Sequence, residues 1–415
     1  MVLCMSSAES FSNLKSVYNY SLSNWQEAYR NRTSQLSVNV NGRNKICDQH
    51  GRQLLHFCTT SYLGLDYEPS IQKGAIDAIL EQGTLRIACS RNRCRLALLD
   101  EYQEALSAHF LTPSMVTLSC SSASSAMLPL IASGALNNGE KPVMVFDRFA
   151  HYSLNQLKAL CATETRVMTI GHNDLDELES VCKKHSQIIY IADSFYSMGG
   201  ISPLKDIVRL QNQYGMGFFC DDSHAMSAVG NQGTGYARSF FSDLPHNTYI
   251  VSSLAKAFGA SGGIILYGQK SYSRFIEQYG GPINWSQSLN VAGLGAGMAS
   301  LSIHRTDRLT QLQHRLVKNL SLFDQLMNIG GPVSPSPIRL IRCRDAEQCL
   351  QLSSVLADEG FLTSPVFFPV VPRNEPAIRI TLRADMTEKQ ILAFCRSLNS
   401  LLVQVGSSYG YTAHF

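Results

Sequence analysis

Lys256 stands in Tyr249-Ile-Val-Ser-Ser-Leu-Ala-Lys256-Ala-Phe-Gly-Ala-Ser-Gly-Gly263, between a short apolar run and a glycine-rich turn, 35 positions after Asp221. An amine is nucleophilic only when unprotonated, and the flanking Leu254, Ala255 and Phe258 favour the neutral form. Such a lysine is able to form an imine with an aldehyde cofactor. Asp221, in Cys220-Asp221-Asp222-Ser223-His224, would keep the ring nitrogen of that cofactor protonated. An imine-forming lysine with a carboxylate for a pyridinium is the requirement of pyridoxal phosphate chemistry. His224 would reach the ring's phenolic oxygen. His151, in Phe146-Asp147-Arg148-Phe149-Ala150-His151-Tyr152-Ser153, offers a flat ring to stack, although a lone histidine is more often a packed or capping residue. Ser119-Cys-Ser-Ser-Ala-Ser-Ser125 precedes a helix expected to start near Ser121. Hydroxyls and N–H groups there suit a phosphate, and the plain alternative is a serine cap. Ser253, three before the lysine, is a further donor.

These residues need strands to carry them. Apolar runs at Met115–Ser119, Val143–Phe146, Ile188–Ala192, Gly217–Cys220, Tyr249–Ser252 and Gly263–Leu266 alternate with helical periodicity at Leu99–Phe110, Leu154–Ala162, Leu175–Lys184 and Leu204–Tyr214. Continuous apolar strands separated by amphipathic helices predict an α/β fold with a mostly parallel sheet covered on both faces. Ligands of such sheets sit at the carboxyl ends of strands, where Asp147, Asp193, Asp221 and Ser253 all fall. A long helical stretch from Ser288 to Met327 leads to Gly330-Gly-Pro-Val-Ser-Pro-Ser-Pro337, a boundary signal. The expected organisation is an N-terminal arm and helix over 1–50, a large α/β domain over 51–290, connecting helices over 291–330 and a small α+β domain over 331–415.

A net charge of +3 with 16% charged residues gives no electrostatic case for nucleic acid or an anionic membrane. The longest apolar stretches are cut by Gly and Ser, so no membrane span is expected, and the N-terminus carries no secretory pattern. The 12 cysteines are scattered singly, with Cys89 and Cys94 the nearest to a pair. That usage fits reduced, packed thiols in the cytoplasm, with no disulfide frame and no metal site.

The ordered set Asp147-Arg-Phe-Ala-His151, Asp193-Ser-Phe-Tyr-Ser-Met198, Asp221-Asp-Ser-His224, Gly230-Asn-Gln-Gly-Thr-Gly235 and Ser253-Leu-Ala-Lys256 resembles the α-oxoamine synthases, fold-type-I pyridoxal phosphate enzymes. The likeness runs from about Asp48 to about Leu402. It implies that Lys256 holds the cofactor and moves the Cα proton, with Asp221 on the ring nitrogen, His224 on the phenolic oxygen and His151 stacked. Asp193 joins the cofactor-binding set, and Ser121, Ser122 and Ser253 hold the phosphate. Ser286 and Ser288 match a segment reaching the neighbouring subunit's phosphate in a homodimer. Arg379 matches the arginine that binds the amino acid carboxylate. The implied reaction is decarboxylative condensation of an amino acid with an acyl thioester, from acyl-CoA or an acyl carrier protein. Other readings are an aminotransferase or lyase, an autoinducer-type synthase, or an inactive partner subunit.

The chain departs from the family in three places. Thr60, in Thr59-Thr60-Ser61-Tyr62-Leu63-Gly64, replaces an asparagine that helps seat the substrate carboxylate. Ser121-Ser122 stands where a glycine and an aromatic residue are usual. Arg86-Ile-Ala-Cys-Ser-Arg91-Asn-Arg93-Cys-Arg95 replaces a glycine-rich segment, and would meet a CoA phosphate or an acidic carrier protein, or form a solvated or salt-bridged face.

Overall fold

Ile188–Asp193 and Gly217–Asp221 have every residue buried, as strands covered on both faces require. In the computed structural model, residues Leu14–Gln404 are described. The chain opens with α1 (Leu14–Arg30), β1 (Val38–Val40), β2 (Lys45–Asp48) and β3 (Gln53–His56). Then follow α2 (Pro69–Gln82), α3 (Ala97–Phe110), β4 (Ser114–Thr117), α4 (Cys120–Ala132), β5 (Val143–Asp147), α5 (Tyr152–Asn155) and α6 (Lys158–Cys161). The middle of the chain forms β6 (Val167–Ile170), α7 (Leu175–Lys184), β7 (Ile188–Asp193), α8 (Leu204–Tyr214), β8 (Gly217–Asp221), β9 (Thr248–Ser253) and β10 (Gly263–Tyr267). After these come α9 (Tyr272–Tyr279), α10 (Gly281–Trp285), α11 (Val291–His304) and α12 (Asp307–Leu326). The C-terminal part is β11 (Ile338–Arg342), α13 (Ala346–Asp358), β12 (Phe361–Leu362), β13 (Ser364–Val366), β14 (Ala377–Thr381) and α14 (Glu388–Gln404).

The chain divides into two compact units. The first holds Leu65–Tyr196 and Ile201–Leu309 around a seven-stranded sheet of order β4-β10-β9-β8-β7-β5-β6. Only β10 runs against the rest. Parallel neighbours need a crossover of a dozen residues or more, and the Leu254–Gly262 turn is too short for one. That short turn therefore makes β10 antiparallel and leaves Lys256 at the carboxyl edge of the sheet. Alternate strand residues enter separate cores. Tyr190 and Phe218 join a cluster with residues of α3, α7, α8 and α11, whereas Ile189, Ile191 and Phe219 join one with residues of α4, α9 and α10. Helices thus cover both faces, as the sequence pattern predicts.

The second unit takes the described residues up to Gly64, Ser197–Gly200, and those from Thr310 onward. It holds a sheet of order β1-β2-β3-β12 and a three-stranded antiparallel sheet β11-β14-β13. Its division differs from the expected boundaries at 50, 290 and 330. β12 pairs in parallel with β3, which joins the N-terminal strands to the C-terminal part, and the unit boundary falls inside α12. The expected helical stretch from Ser288 to Met327 is α11 and α12 after Leu289-Asn290, and the chain turns between them at Arg305-Thr306. Leu154–Ala162 likewise forms the two short helices α5 and α6. Among the described residues, no helix is long and apolar enough to cross a membrane.

Candidate active site

The carboxyl edge of the seven-stranded sheet collects the polar residues. Asp193 and Asp221 are register partners at the ends of β7 and β8, and Ser253 ends β9 opposite Gly263. Lys256 Nζ lies 3.0 Å from His224 Nε2 in the turn beyond β9. That turn closes on itself through Gly259 N–H to Lys256 O and Leu254 N–H to Gly262 O. Gly259 has φ +78°, and a Cβ there would come within 2.4 Å of Leu65, so only glycine fits. His224 is buried in the turn after β8.

Asp221 is buried; its Oδ1 accepts from Ser223 N–H at 3.0 Å and its Oδ2 from the Cys120 thiol at 3.6 Å. Asp193 accepts from His151 N–H at 3.0 Å, and burial, reinforced by the charge of Asp221, pushes its carboxyl well above the ordinary range. His151 caps α5: its Nδ1 accepts from Ser153 N–H at 3.2 Å. Burial lowers its pKa, which favours the neutral ring. Capping uses only Nδ1 and leaves the ring face available, and Asp193 is the anchor of the His151 backbone.

Asp147 differs from its strand-end companions. It accepts from Phe149 N–H (2.7 Å), His172 Nδ1 (3.0 Å), Asn173 N–H (2.8 Å) and Tyr190 Oη (3.1 Å). Burial alone would raise its pKa, but these bonds outweigh it and hold the carboxyl below the ordinary value. It is a scaffold for the loop that carries His151.

The helix expected near Ser121, α4, starts one residue earlier, at Cys120. Ser119 is the N-cap of α4, its Oγ accepting from Ser122 N–H at 3.1 Å, so Ser121 and Ser122 lie in the first turn. Helix N-termini leave backbone donors unpaired, which is where an anion binds. Gly263 lets this end approach the sheet, because a Cβ there would meet Ser119 at 2.4 Å. Ser253 Oγ accepts from Ala255 N–H at 3.2 Å, and its N–H donates to Ser223 Oγ at 2.9 Å.

Ser286 follows α10, and Ser288 accepts from Arg91 Nε at 3.0 Å. Arg91 is buried and also donates to Val116 O, while Arg95 pairs with Asp100 and Glu277. Arg86 donates to Gln287 Oε1, so three of the four arginines are committed to the protein itself, whereas Arg93 is exposed. Sequence reasoning missed Cys120, Ser223 and the Arg91–Ser288 contact. The only signal for Cys120 was its place directly after a capping serine.

In the second unit, Arg379 is buried on β14; its Nε donates to Ser197 O at 2.6 Å, and its side chain bonds Tyr62. Thr60 is half-buried in the segment after β3. Its neighbour Thr59 carries the polar contacts instead, 3.0 Å from His56 Nδ1 and 3.2 Å from Arg383 Nη1.

The donor set fits pyridoxal phosphate, which brings a dianion, a basic ring nitrogen and an aldehyde. The first unit offers at one sheet edge a helix N-terminus with hydroxyls, a buried carboxylate and a lysine amine. The class I and II aminotransferase family matches residues 53–398. The chain is 26% identical over 354 residues to the 8-amino-7-oxononanoate synthase of Fervidobacterium nodosum, covering 82% of this chain and 87% of that protein. It is 26% identical over 348 residues to a serine palmitoyltransferase of Sphingobacterium spiritivorum, covering 82% and 84%. Among solved structures, a serine palmitoyltransferase from S. paucimobilis with bound pyridoxal phosphate and myriocin superposes with TM-score 0.82 at 18% identity, over 94% of this chain and 98% of that one. The 8-amino-7-oxononanoate synthase of Francisella tularensis gives 0.69 at 16% identity, over 85% and 99%. The chain belongs to the class I and II aminotransferase family and, within it, to the α-oxoamine synthases, fold-type-I enzymes whose cofactor is pyridoxal 5'-phosphate.

Proposed function

We propose that the protein is a C-acyltransferase that condenses an amino acid with an acyl thioester. A bond forms between Cα and the acyl carbonyl carbon, the C–S bond breaks, and the amino acid's carboxyl leaves as CO2. The products are an α-aminoketone and a free thiol. The observation that carries this reading is Lys256 Nζ at 3.0 Å from His224 Nε2, on the sheet edge that also holds Asp221.

The bound cofactor supplies an electron sink for the pair left at Cα when its proton departs. Lys256 Nζ takes that proton and returns one to the product. His224 orients the lysine amine and, once the amine moves, donates toward the developing oxyanion. Asp221 holds a proton at the ring nitrogen. The first turn of α4, with Ser121 and Ser122, and Ser253 take the phosphate. His151, held by Asp193, packs against the ring. Arg379 binds the amino acid carboxylate with Thr60 beside that position, since a planar guanidinium matches a carboxylate.

The substrates are an amino acid with acyl-CoA or an acyl carrier protein, and the compartment is the cytoplasm, consistent with described cysteines that are all free. A homodimer is the assembly. The exposed Ile76 and Leu80, one turn apart on α2, support it, as does the family resemblance of the segment that holds Ser286 and Ser288.

The test is amino-acid-dependent release of free thiol from acyl-CoAs of varied chain length. Lys256→Ala should lower turnover by at least about 10²–10⁴-fold, the range of a lost general base. A Lys256→Ala protein with full product formation and an unchanged visible absorbance band would sink the assignment. Amino transfer without thiol release would select the aminotransferase alternative.

A further inference from the structure

Cys120 is the first residue of α4, and its sulfur faces the end of β8. A closed set of contacts runs through it. Cys120 Sγ lies 3.6 Å from Asp221 Oδ2, and Ser223 Oγ donates to that sulfur at 3.4 Å. Ser223 N–H donates to Asp221 Oδ1 at 3.0 Å, while Ser253 N–H donates to Ser223 Oγ at 2.9 Å. Three chain segments, the starts of α4 and of the turn after β8 and the end of β9, thus meet around one carboxylate. A thiolate beside that carboxylate would be repelled by it. Burial first, and then the charge of Asp221, push the thiol well above its ordinary value. The sulfur therefore keeps its proton and has one acceptor to give it to, Asp221 Oδ2.

We infer that Cys120 is a positioning residue: its thiol orients the Asp221 carboxylate and ties it to the helix whose N-terminus takes the cofactor phosphate. This rests on the pyridoxal phosphate reading of the site. The separation between phosphate and ring nitrogen is fixed within the cofactor, so the protein must hold α4 and Asp221 at a matching separation. Cys120 and Ser223 are the side chains that span the two. A cysteine serving only as packing would fill volume and have no bearing on the charge of the carboxylate. The other titratable groups that feel the charge of Asp221 are Asp193 on β7, His151 beyond β5, and Cys220 and Asp222 on β8 and at its end, with Lys256 beyond β9 acting on Asp193 and His151. None of these changes in a Cys120 variant.

The experiment compares wild-type, Cys120→Ala, Cys120→Ser and Ser223→Ala proteins, each stripped of cofactor and titrated with pyridoxal phosphate. Two quantities are read: the dissociation constant, and the pH midpoint of the bound cofactor's visible band. Cys120→Ala should weaken binding by about fivefold, the scale of one lost hydrogen bond. It should also move the midpoint by about half a unit. Ser223→Ala should act in the same direction. Cys120→Ser keeps an O–H donor and should stay within about twofold of wild type. An unchanged constant and midpoint in Cys120→Ala and Ser223→Ala overturns the inference, as does Cys120→Ser impaired as much as Cys120→Ala. A wild-type protein whose visible band matches that of Lys256→Ala overturns the cofactor reading itself, which is a separate result. Thermal unfolding of each variant keeps misfolding apart from weakened binding, and should Cys120→Ala fail to fold, Cys120→Ser and Ser223→Ala still decide.

Discussion

Asp147 and Asp221 end parallel strands of the same sheet, and both are buried. A carboxylate offers about four acceptor sites. Asp147 receives four donors from Phe149, His172, Asn173 and Tyr190. Asp221 receives the Ser223 N–H and the weak Cys120 thiol. The first has its capacity filled by the protein and fixes a loop, whereas the second retains capacity for a ligand. The second unit repeats the contrast with arginines. Arg383 is engaged by both oxygens of Asp385 and by Thr59. Arg379 is engaged through Nε by Ser197 O and by Tyr62. Burial and residue type do not tell the members of each pair apart; the saturation of their hydrogen bonds does.

The contrast breaks or sharpens under substitution, and Asp221→Asn is the largest test. It should cost about 10²–10³ in turnover, the scale of a lost preorganised electrostatic partner, while the thermal midpoint moves little. Equal losses of turnover in Asp221→Asn and Asp147→Asn would erase the distinction. Arg379→Lys comes next. It keeps the charge and loses the planar fork, so the KM for the amino acid should rise about tenfold or more with a smaller change in kcat. Steady-state kinetics at saturating acyl-CoA reads that split.

Asp147→Asn should have the smallest effect on turnover and a clear one on stability. The amide turns donor against donor, and denaturant unfolding should show a loss on the order of 2–3 kcal/mol. The pH dependence gives the sign. The folded carboxyl lies below its ordinary 3.8, so its stabilisation is complete above that value and is lost as the pH falls through the folded value. The Asn variant should lack this part of the acid limb. Turnover of Asp147→Asn reduced as far as that of Asp221→Asn would place Asp147 in the chemistry.

Much of the first unit was legible because buried parallel strands read as unbroken apolar runs. Ile188–Asp193 and Gly217–Asp221 were found to within a residue, and α7 and α8 have the predicted ends. The point where the helical stretch from Ser288 to Met327 breaks was not legible, since Arg305 and Thr306 are neither Gly nor Pro. The expected domain boundary at the Pro/Gly/Ser segment missed that β3 and β12 pair across some 300 residues, which no local pattern records. In the arginine cluster, composition alone could not distinguish Arg91, buried against Ser288, from Arg93, which is exposed.

The sequence by itself determined the cofactor chemistry. A lysine in a short glycine-rich turn after an apolar strand, with acidic residues ending the earlier strands, requires only local geometry and the alternation of strand and helix. Tertiary structure decided how those acids divide the work. Whether a strand-end aspartate is saturated depends on donors brought from other segments: His172 and Tyr190 to Asp147, and Cys120, 101 positions away, to Asp221. Hydrogen bonds act over about 3 Å, and only the folded chain brings such distant residues that close.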